Sequence, residues 1–295
     1  MQRLTGILLI AISAASFGTL AIFGRLLYAE GLDTFTMLFL RFSLAAIVMA
    51  LILILRKEPL PRGRILLQLL GMGGLGYVAQ SFSFLTAVKY ASAGLVALLL
   101  YLYPMFVFIL SVIILGERAT WLKILAIILA LIGTALTVDP AGGQWIGILL
   151  AIASALIYSV YIIVGTNVMK HVSPVQSSLV IFASAGTVYG MFTVFNGPHF
   201  PSTNTGWLGI AGIVLIATVI PVTTFLAGLE RIGPTNAAML STLEPVVTVL
   251  LAGLIFGERL QSITILGGVL ILAAVILLTR NEVQKNTATK ISLAE

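Results

Sequence analysis

The sequence predicts an all-α integral membrane fold of ten transmembrane helices, built as two inverted five-helix repeats. Three observations carry that prediction: an extreme composition, ten apolar stretches of spanning length, and short motifs recurring at one fixed spacing. Of 295 residues, 60% are hydrophobic and only 9% are Asp, Glu, Lys or Arg. An ordinary soluble domain is roughly 45–50% apolar and about 25% charged. Too few charges remain to coat a globule of this size, which argues against a soluble enzyme, a disordered chain or a nucleic-acid-binding domain. The net charge of +6 comes from 16 basic residues spread along the chain. That is the pattern of cytoplasmic loops rather than of a phosphate-binding face. There are no cysteines, so disulfides, thiolate metal ligands and cysteine nucleophiles are excluded.

A transmembrane helix needs about 20 mainly apolar residues. The stretches that qualify are 5–28, 35–55, 65–88, 92–115, 121–138, 145–168, 175–195, 206–229, 235–256 and 262–279. The first lacks a small-residue cleavage site leading into a polar domain and reads as a retained helix. Turn formers and charges separate the others. Glu58-Pro59-Leu60-Pro61 follows the second, Asp139-Pro140-Ala141-Gly142-Gly143 the fifth, and Asn196-Gly197-Pro198-His199-Phe200-Pro201 the seventh. Each reads as a surface loop. With a cytoplasmic N-terminus, the inner face holds Arg3, Arg56, Lys57, Arg62, Arg64, Arg118, Lys123, Lys170, Arg231, Arg280, Lys285 and Lys290. The outer loops hold only Lys89 and Arg259, while Arg25 and Arg41 lie within helices near the outer face. The positive-inside rule therefore places both termini in the cytoplasm.

The repeat is internal to the chain. Gly6-Ile7-Leu8-Leu9 recurs as Gly147-Ile148-Leu149-Leu150, an offset of 141 residues (147 minus 6). Phe84-Leu85 recurs as Phe225-Leu226, Pro104 as Pro245, and Gly116-Glu117-Arg118 as Gly257-Glu258-Arg259 at the same offset. Apolar helices can resemble one another by composition, but a Gly-Glu-Arg triplet and a mid-helix proline in register are not explained that way. One constant offset predicts repeats over 1–140 and 141–280, followed by a polar cytoplasmic tail at 281–295. An odd number of spans per repeat inverts the second copy, the architecture of secondary transporters with a midplane site between the halves.

A mid-helix proline followed by Gly-Glu-Arg, once in each half, resembles the EamA-type exporters of the drug/metabolite transporter superfamily. The resemblance covers residues 5–279. Within that superfamily the chain is most similar to the YddG-type exporters of bacterial inner membranes, which favour aromatic amino acids. The resemblance implies export of small metabolites across the inner membrane.

Two tempting motifs fail. Gly71-Met72-Gly73-Gly74-Leu75-Gly76 fits the dinucleotide pattern, yet it lies inside an apolar helix, with no Asp or Glu between Glu58 and Glu117. Its use is close helix packing, as for Gly206, Gly209 and Gly212 in the matching segment. His171 and His199 both fall in loops, and there is no Gly-x-Ser-x-Gly elbow. Neither a cofactor nor a metal site is expected.

The candidate substrate site comes from groups at membrane depth. Glu244 is the only acid well inside a span, a functional hypothesis by default. Ser241 and Thr248 share its helix face by spacing, and Tyr103 stands at its matching position in the first half. A structural hydrogen bond between helices is the alternative reading. Pro104 and Pro245 each remove a donor and clash with the carbonyl four residues back, at Leu100 and Ser241. They are expected to kink the fourth and ninth spans as hinges, or to leave static kinks. Tyr77, Gln80 and Phe84 share one face, as do Ser154, Tyr158 and Tyr161, while Tyr101 and Tyr103 precede the first proline. Phe17 matches Tyr158 and Thr218 matches Tyr77, so both halves can line one site. Tyrosine rings can stack on an aromatic solute or face a cationic amine. Charge is scarce at depth, which argues against phosphorylated or polyanionic cargo, whose exchange needs Lys or Arg there.

The expected function is alternating-access export of small, largely neutral solutes, amino acids first and aromatic ones favoured. A channel and an intramembrane enzyme are the alternatives. The partners are the small-molecule substrate and the lipid bilayer. Facilitated diffusion and proton coupling through Glu244 both fit a single buried acid. The Gly-Glu-Arg triplets are expected to stop their helices and anchor them at the headgroups.

Overall fold

In the computed structural model, described for residues 2–87, 90–91, 96, 99–137, 144–256 and 262–292, the regular elements are all helices. In chain order they are α1 (Gln2–Gly18), α2 (Leu20–Ala29), α3 (Thr34–Arg56), α4 (Gly63–Gly71) and α5 (Val78–Ala87). Next come α6 (Tyr103–Leu115), α7 (Trp121–Thr137), α8 (Trp145–Val168) and α9 (Pro174–Asn196). The last five are α10 (Asn204–Val214), α11 (Ile220–Ile232), α12 (Pro234–Leu240), α13 (Glu244–Phe256) and α14 (Ser262–Ser292). Among the described residues, seven helical stretches are long and apolar enough to cross a bilayer: Gln2–Ala29, Thr34–Arg56, Gly63–Phe84, Trp145–Val168, Pro174–Asn196, Asn204–Ile232 and Pro234–Ile255. Three shorter apolar helices, Tyr103–Leu115, Trp121–Leu136 and Ser262–Leu277, fall on the remaining expected spans.

Five of the expected spans are not continuous α-helix. The first breaks between α1 and α2 at Thr19, whose hydroxyl donates to Ser16 O at 2.6 Å. The third and eighth each widen into a π-turn, Met72–Tyr77 between α4 and α5, and Leu215–Val219 between α10 and α11. The fourth and ninth restart at their prolines. Pro104 sits in the first turn of α6, and Pro245 is the second residue of α13. A kink in a continuous helix was expected at both; a break is found instead. Proline is pre-shaped for a first helical turn, where its missing N–H costs nothing. Nor is the Ser241 carbonyl left unpaired. Residues Ser241–Leu243 tighten into a 3₁₀ turn, and the Glu244 N–H donates to Ser241 O. α14 continues as helix past its apolar stretch, Ser262–Leu277, to Ser292, with no Gly or Pro after Gly268 to stop it.

The helices pair in a defined way. α3 packs along α9, α7 along α14, α1 along α11, and α5 along α8, with α6 against α8 and α12. Glycines allow the approaches. A Cβ on Gly73 would overlap the Ser184 hydroxyl and the Ile181 carbonyl of α9, and one on Gly212 would enter the Phe23 ring of α2. These contacts match the packing role expected for both glycine runs.

Loops that should share a membrane face meet one another. At one end the Ser173 hydroxyl donates to Glu58, Gln176 Nε2 donates to Pro59 O at 2.6 Å, and Gly233 lies beside Glu117. At the other end Thr203 donates to Glu30, the His199 N–H donates to Thr36 Oγ1 at 3.1 Å, and Gln144 N donates to Tyr90 O at 2.9 Å. α6 ends at Gly116 in the left-handed region, φ 67°, where the expected stop falls. Glu117 pairs with the buried Lys123 at 2.7 Å. The second triplet, Gly257-Glu258-Arg259, lies outside the described residues.

Asp33 caps α3. Its Oδ1 accepts from the backbone N–H groups of Phe35 and Thr36 at 2.8 and 3.0 Å, and the Thr36 hydroxyl donates to Oδ2. Burial pushes this carboxyl up, but the hydrogen bonds from Thr36 and Phe35, with His199 nearby, outweigh it and hold it below its ordinary value.

Two predictions follow from this packing and capping. Gly73→Ala, facing backbone that cannot yield, should destabilise by about 1–3 kcal/mol. Gly71→Ala, with open space around it, should be neutral or better. Equal melting temperatures for the two variants in detergent would refute the packing account. Asp33 has a lowered folded pKa, so its contribution is complete above about pH 4 and is lost as pH falls through the lower value. Asp33→Ala should cost about 1 kcal/mol at neutral pH and shallow the acid limb of the melting curve; an unaltered acid limb would contradict the cap.

Candidate functional site

The interior is organised around a continuous run of aromatic rings. Tyr101 and Tyr103 lie 6.5 Å apart between ring centroids, Tyr103 and Tyr158 4.8 Å, and Tyr158 and Tyr161 6.0 Å. Tyr161 meets Tyr77 at 5.9 Å, Tyr77 meets Phe42 at 5.1 Å, and Phe42 stacks on Tyr189 at 5.8 Å. Every spacing falls in the range where ring pairs attract, each contact contributing roughly 0.5–1.5 kcal/mol beyond its area. The run passes from the start of α6 through α8 and the first π-turn to α3 and α9. It therefore joins five separate segments.

Broken backbone places these rings. Tyr77 is the last residue of the first π-turn and Tyr103 the first residue of α6. The Tyr103 hydroxyl donates to Ala238 O in α12 at 3.3 Å, and Ser159 Oγ donates to Tyr103 O at 3.2 Å. Gln80 and Ser154 interlock: Ser154 Oγ donates to Gln80 O at 3.0 Å, and Gln80 Nε2 donates back to Ser154 Oγ at 3.2 Å.

At the second π-turn the Thr218 hydroxyl donates to Ile213 O at 2.7 Å, five residues back, as a widened turn allows. Thr218 also accepts from Arg41 Nε at 2.6 Å, and Ala217 O accepts from Arg41 Nη2 at 3.3 Å. Arg41 is only 4% exposed, and its Cζ stands 4.9 Å from the Phe42 ring centroid. It is the eighth residue of α3, about 10 Å from the start of that helix at 1.5 Å per residue. Arg41, expected within a helix near the outer face, is thus drawn into the protein interior. Burial at a helix break, rather than position near a span end, decides where this charge sits.

Most of the sequence-predicted residues converge. Tyr77, Tyr101, Tyr103, Tyr158 and Tyr161 form the ring run, and Gln80, Ser154 and Thr218 brace it. Ser241 is buried and donates to Ala237 O at 2.9 Å, four residues back. Thr248 turns to α1, donating to Gly18 O at 3.0 Å. Glu244, half-buried, heads α13 with no hydrogen-bond or ion-pair partner for its carboxylate among the described residues. Phe17 is partly buried against the main core. Phe84 packs into a second apolar cluster with Ala87, Ala91, Val96 and Ala151.

Sequence reasoning missed Arg41, Phe42 and Tyr189. A signal existed for the first, since a basic residue inside a span is by default functional. An open cleft of 340 Å³ lies elsewhere, between α2 and α10, lined by Phe23, Leu26, Leu27, Glu30, Leu208 and Gly209. Its apolar walls carry none of the site residues.

Packed helices of spanning length, broken at mid-depth around an aromatic and charged interior, define a polytopic membrane transporter. The model of the EamA-like transporter family matches the chain twice, over residues 4–139 and 145–280, and the chain belongs to that family. An "Uncharacterized transporter" of Archaeoglobus fulgidus is 29% identical over 272 residues, covering 92% of this chain and 95% of that protein. The "Uncharacterized transporter YcbK" of Bacillus subtilis is 23% identical, with 90% of each chain covered. A "Probable amino-acid metabolite efflux pump" of Escherichia coli is 29% identical over 227 residues, 72% of this chain and 76% of that protein. A solved crystal structure, 21% identical, matches with a TM-score of 0.83 over 94% of this chain and 97% of that one. It shares the fold.

Proposed function

We propose that the protein exports small, largely neutral metabolites across a bacterial inner membrane by alternating access. Amino acids are the first choice, aromatic ones favoured, as in YddG-type exporters. The observation that carries this reading is the run of tyrosine rings joining broken segments at depth. Such a surface suits an aromatic or amine-bearing solute, and its breaks are where backbone can rearrange. The printed name of the Escherichia coli relative supports the amino-acid class.

Support for ten spans as two inverted repeats comes from paired contacts. Ser13 Oγ donates to Pro221 O at 2.8 Å, while Ser154 Oγ donates to Gln80 O at 3.0 Å. The two serines and the two acceptors are each 141 residues apart (154 minus 13, and 221 minus 80). Gly6 meets the Gly228 carbonyl as Gly147 meets that of Ala87, again at that offset. The twofold family match follows the same division. An inverted pair of this kind, with both termini cytoplasmic by the Lys and Arg count, provides the symmetric halves that alternating access exchanges.

Two tests follow. Purified protein in liposomes loaded with L-phenylalanine should show saturable counterflow of labelled L-phenylalanine. Single alanine substitutions at Tyr77, Tyr101, Tyr158 and Glu244 should each lower it roughly tenfold, about 1.4 kcal/mol of lost interaction. Linear, non-saturating flux would favour a pore, and untouched counterflow in all four variants would remove the site assignment. Replacing both Pro104 and Pro245 with alanine should slow turnover while leaving half-saturation within about twofold; an unchanged maximal rate would eliminate the hinge role.

A further inference from the structure

Among the described residues, four buried side-chain oxygens have no hydrogen-bond partner: Ser111 Oγ, Thr235 Oγ1, Asn236 Oδ1 and the Tyr189 hydroxyl. Tyr189 stands in the ring run, but the other three belong to the seam where α6 packs against α12. Two contacts set the register of that seam. The Tyr103 hydroxyl reaches Ala238 O at 3.3 Å, and beyond the end of α6 Glu117 Oε1 stands 3.5 Å from where a Cβ on Gly233 would sit. Tyr103, Val107 and Ser111, spaced by four, form the buried stripe of α6 that runs between those contacts. Across the seam, Thr235 and Asn236 follow Gly233 in the first turn of α12. Asn236 Nδ2 donates to Ile232 O at 2.8 Å, which leaves its Oδ1 over. Ser111 and Thr235 are fully buried, and Asn236 is 6% exposed.

A buried polar atom without a partner costs free energy that a hydrogen bond to water returns, and an apolar group of the same shape avoids that cost. The other copy of the repeat has no such atoms. At the offset of 141 residues, Ser111, Thr235 and Asn236 correspond to Ala252, Gly94 and Leu95, whose side chains form no hydrogen bonds. The repeated sequence therefore does not require these oxygens; they are particular to one end. The backbone there is jointed. α12 is only seven residues long, with Gly233 at φ 78° before it and the 3₁₀ turn Ser241–Leu243 after it, and α6 starts at the Pro104 break. We propose that α6 and α12 part at the end where Glu117 meets Gly233, cytoplasmic by the Lys and Arg count, and that water entering between them hydrogen-bonds to Ser111, Thr235 and Asn236. The three oxygens weaken the closed seam and so set how readily that end opens. The inference rests on the alternating-access reading and adds the place of the cytoplasmic opening and the groups that tune it.

The chain has no cysteine, so a thiol at position 111 is a single reporter. A buried thiol is inert, and a hydrated one reacts. Ser111→Cys should be labelled by a membrane-impermeant maleimide in inside-out vesicles and not in right-side-out ones. Adding Thr235→Val keeps the shape and removes one orphaned oxygen. It should slow both labelling and L-phenylalanine counterflow about fivefold, the effect of one net hydrogen bond on an equilibrium, and raise the melting temperature in detergent. Adding Thr235→Ser, which keeps the hydroxyl, should leave all three readouts near those of Ser111→Cys alone. Should Thr235→Val fail to fold, the sidedness of Ser111→Cys labelling still decides. A thiol that stays unlabelled from both faces while counterflow persists overturns the seam and leaves the exporter reading standing. Equal labelling rates with and without Thr235→Val overturn the role of the oxygens. No saturable counterflow by the wild type overturns the exporter reading and this inference with it.

Discussion

Hydrocarbon offers no hydrogen-bond partner, so every backbone group released from a helix must find one inside the protein. That constraint shapes this molecule more than any single contact. Five of its spans depart from regular α-helix, and the freed groups are met locally or by another helix. The break at Thr19 closes on Ser16 O through its own hydroxyl. The Ser241 carbonyl is recovered by a 3₁₀ turn, and the widened turn at Ala217 hands a carbonyl to Arg41. Irregularity at depth is thus tolerated only where neighbouring helices are close, and the glycines that let them approach stand at those places.

The same requirement binds the two halves of the chain together. Ser13 and Ser154 lie on different spans, and each donates to a carbonyl contributed by the opposite half. The breaks at Thr19 and Ser241 close within their own halves, whereas these two carbonyls are met from the other. Without the opposite family-matched stretch, Pro221 O and Gln80 O would each lose this donor. The long α3–α9 contact adds fastenings at both ends, Glu58 to Ser173 at one and Glu30 to Thr203 at the other.

The spans were legible in the sequence because lipid imposes length and apolarity on each segment alone. Pro104 and Pro245 were legible as interruptions, since a missing N–H is a property of the residue. The form of the interruption was not. Whether a proline kinks a helix or begins a new one depends on whether the preceding turn can tighten, which Ser241–Leu243 does. The π-turns left no local mark either. Met72-Gly73-Gly74-Leu75-Gly76-Tyr77 and Leu215-Ile216-Ala217-Thr218-Val219 share little. Depth and spacing singled out the tyrosines whose rings meet in the interior. Arg41 was not, because its place near a span end suggests a headgroup contact. Only the facing π-turn, distant by 176 residues in sequence, draws the side chain inward.

Arg41 and Glu244 also differ in what they stand on, and that difference bears on movement. Arg41 belongs to α3, continuous from Thr34 to Arg56 and tied to α9 along its length. Glu244 belongs to a joint, with a 3₁₀ turn before it and a proline after it. Any resetting of the Ser241–Leu243 turn moves Glu244 relative to α3, which stays held along α9. A ligand shifts such an equilibrium only by its differential affinity for the two settings.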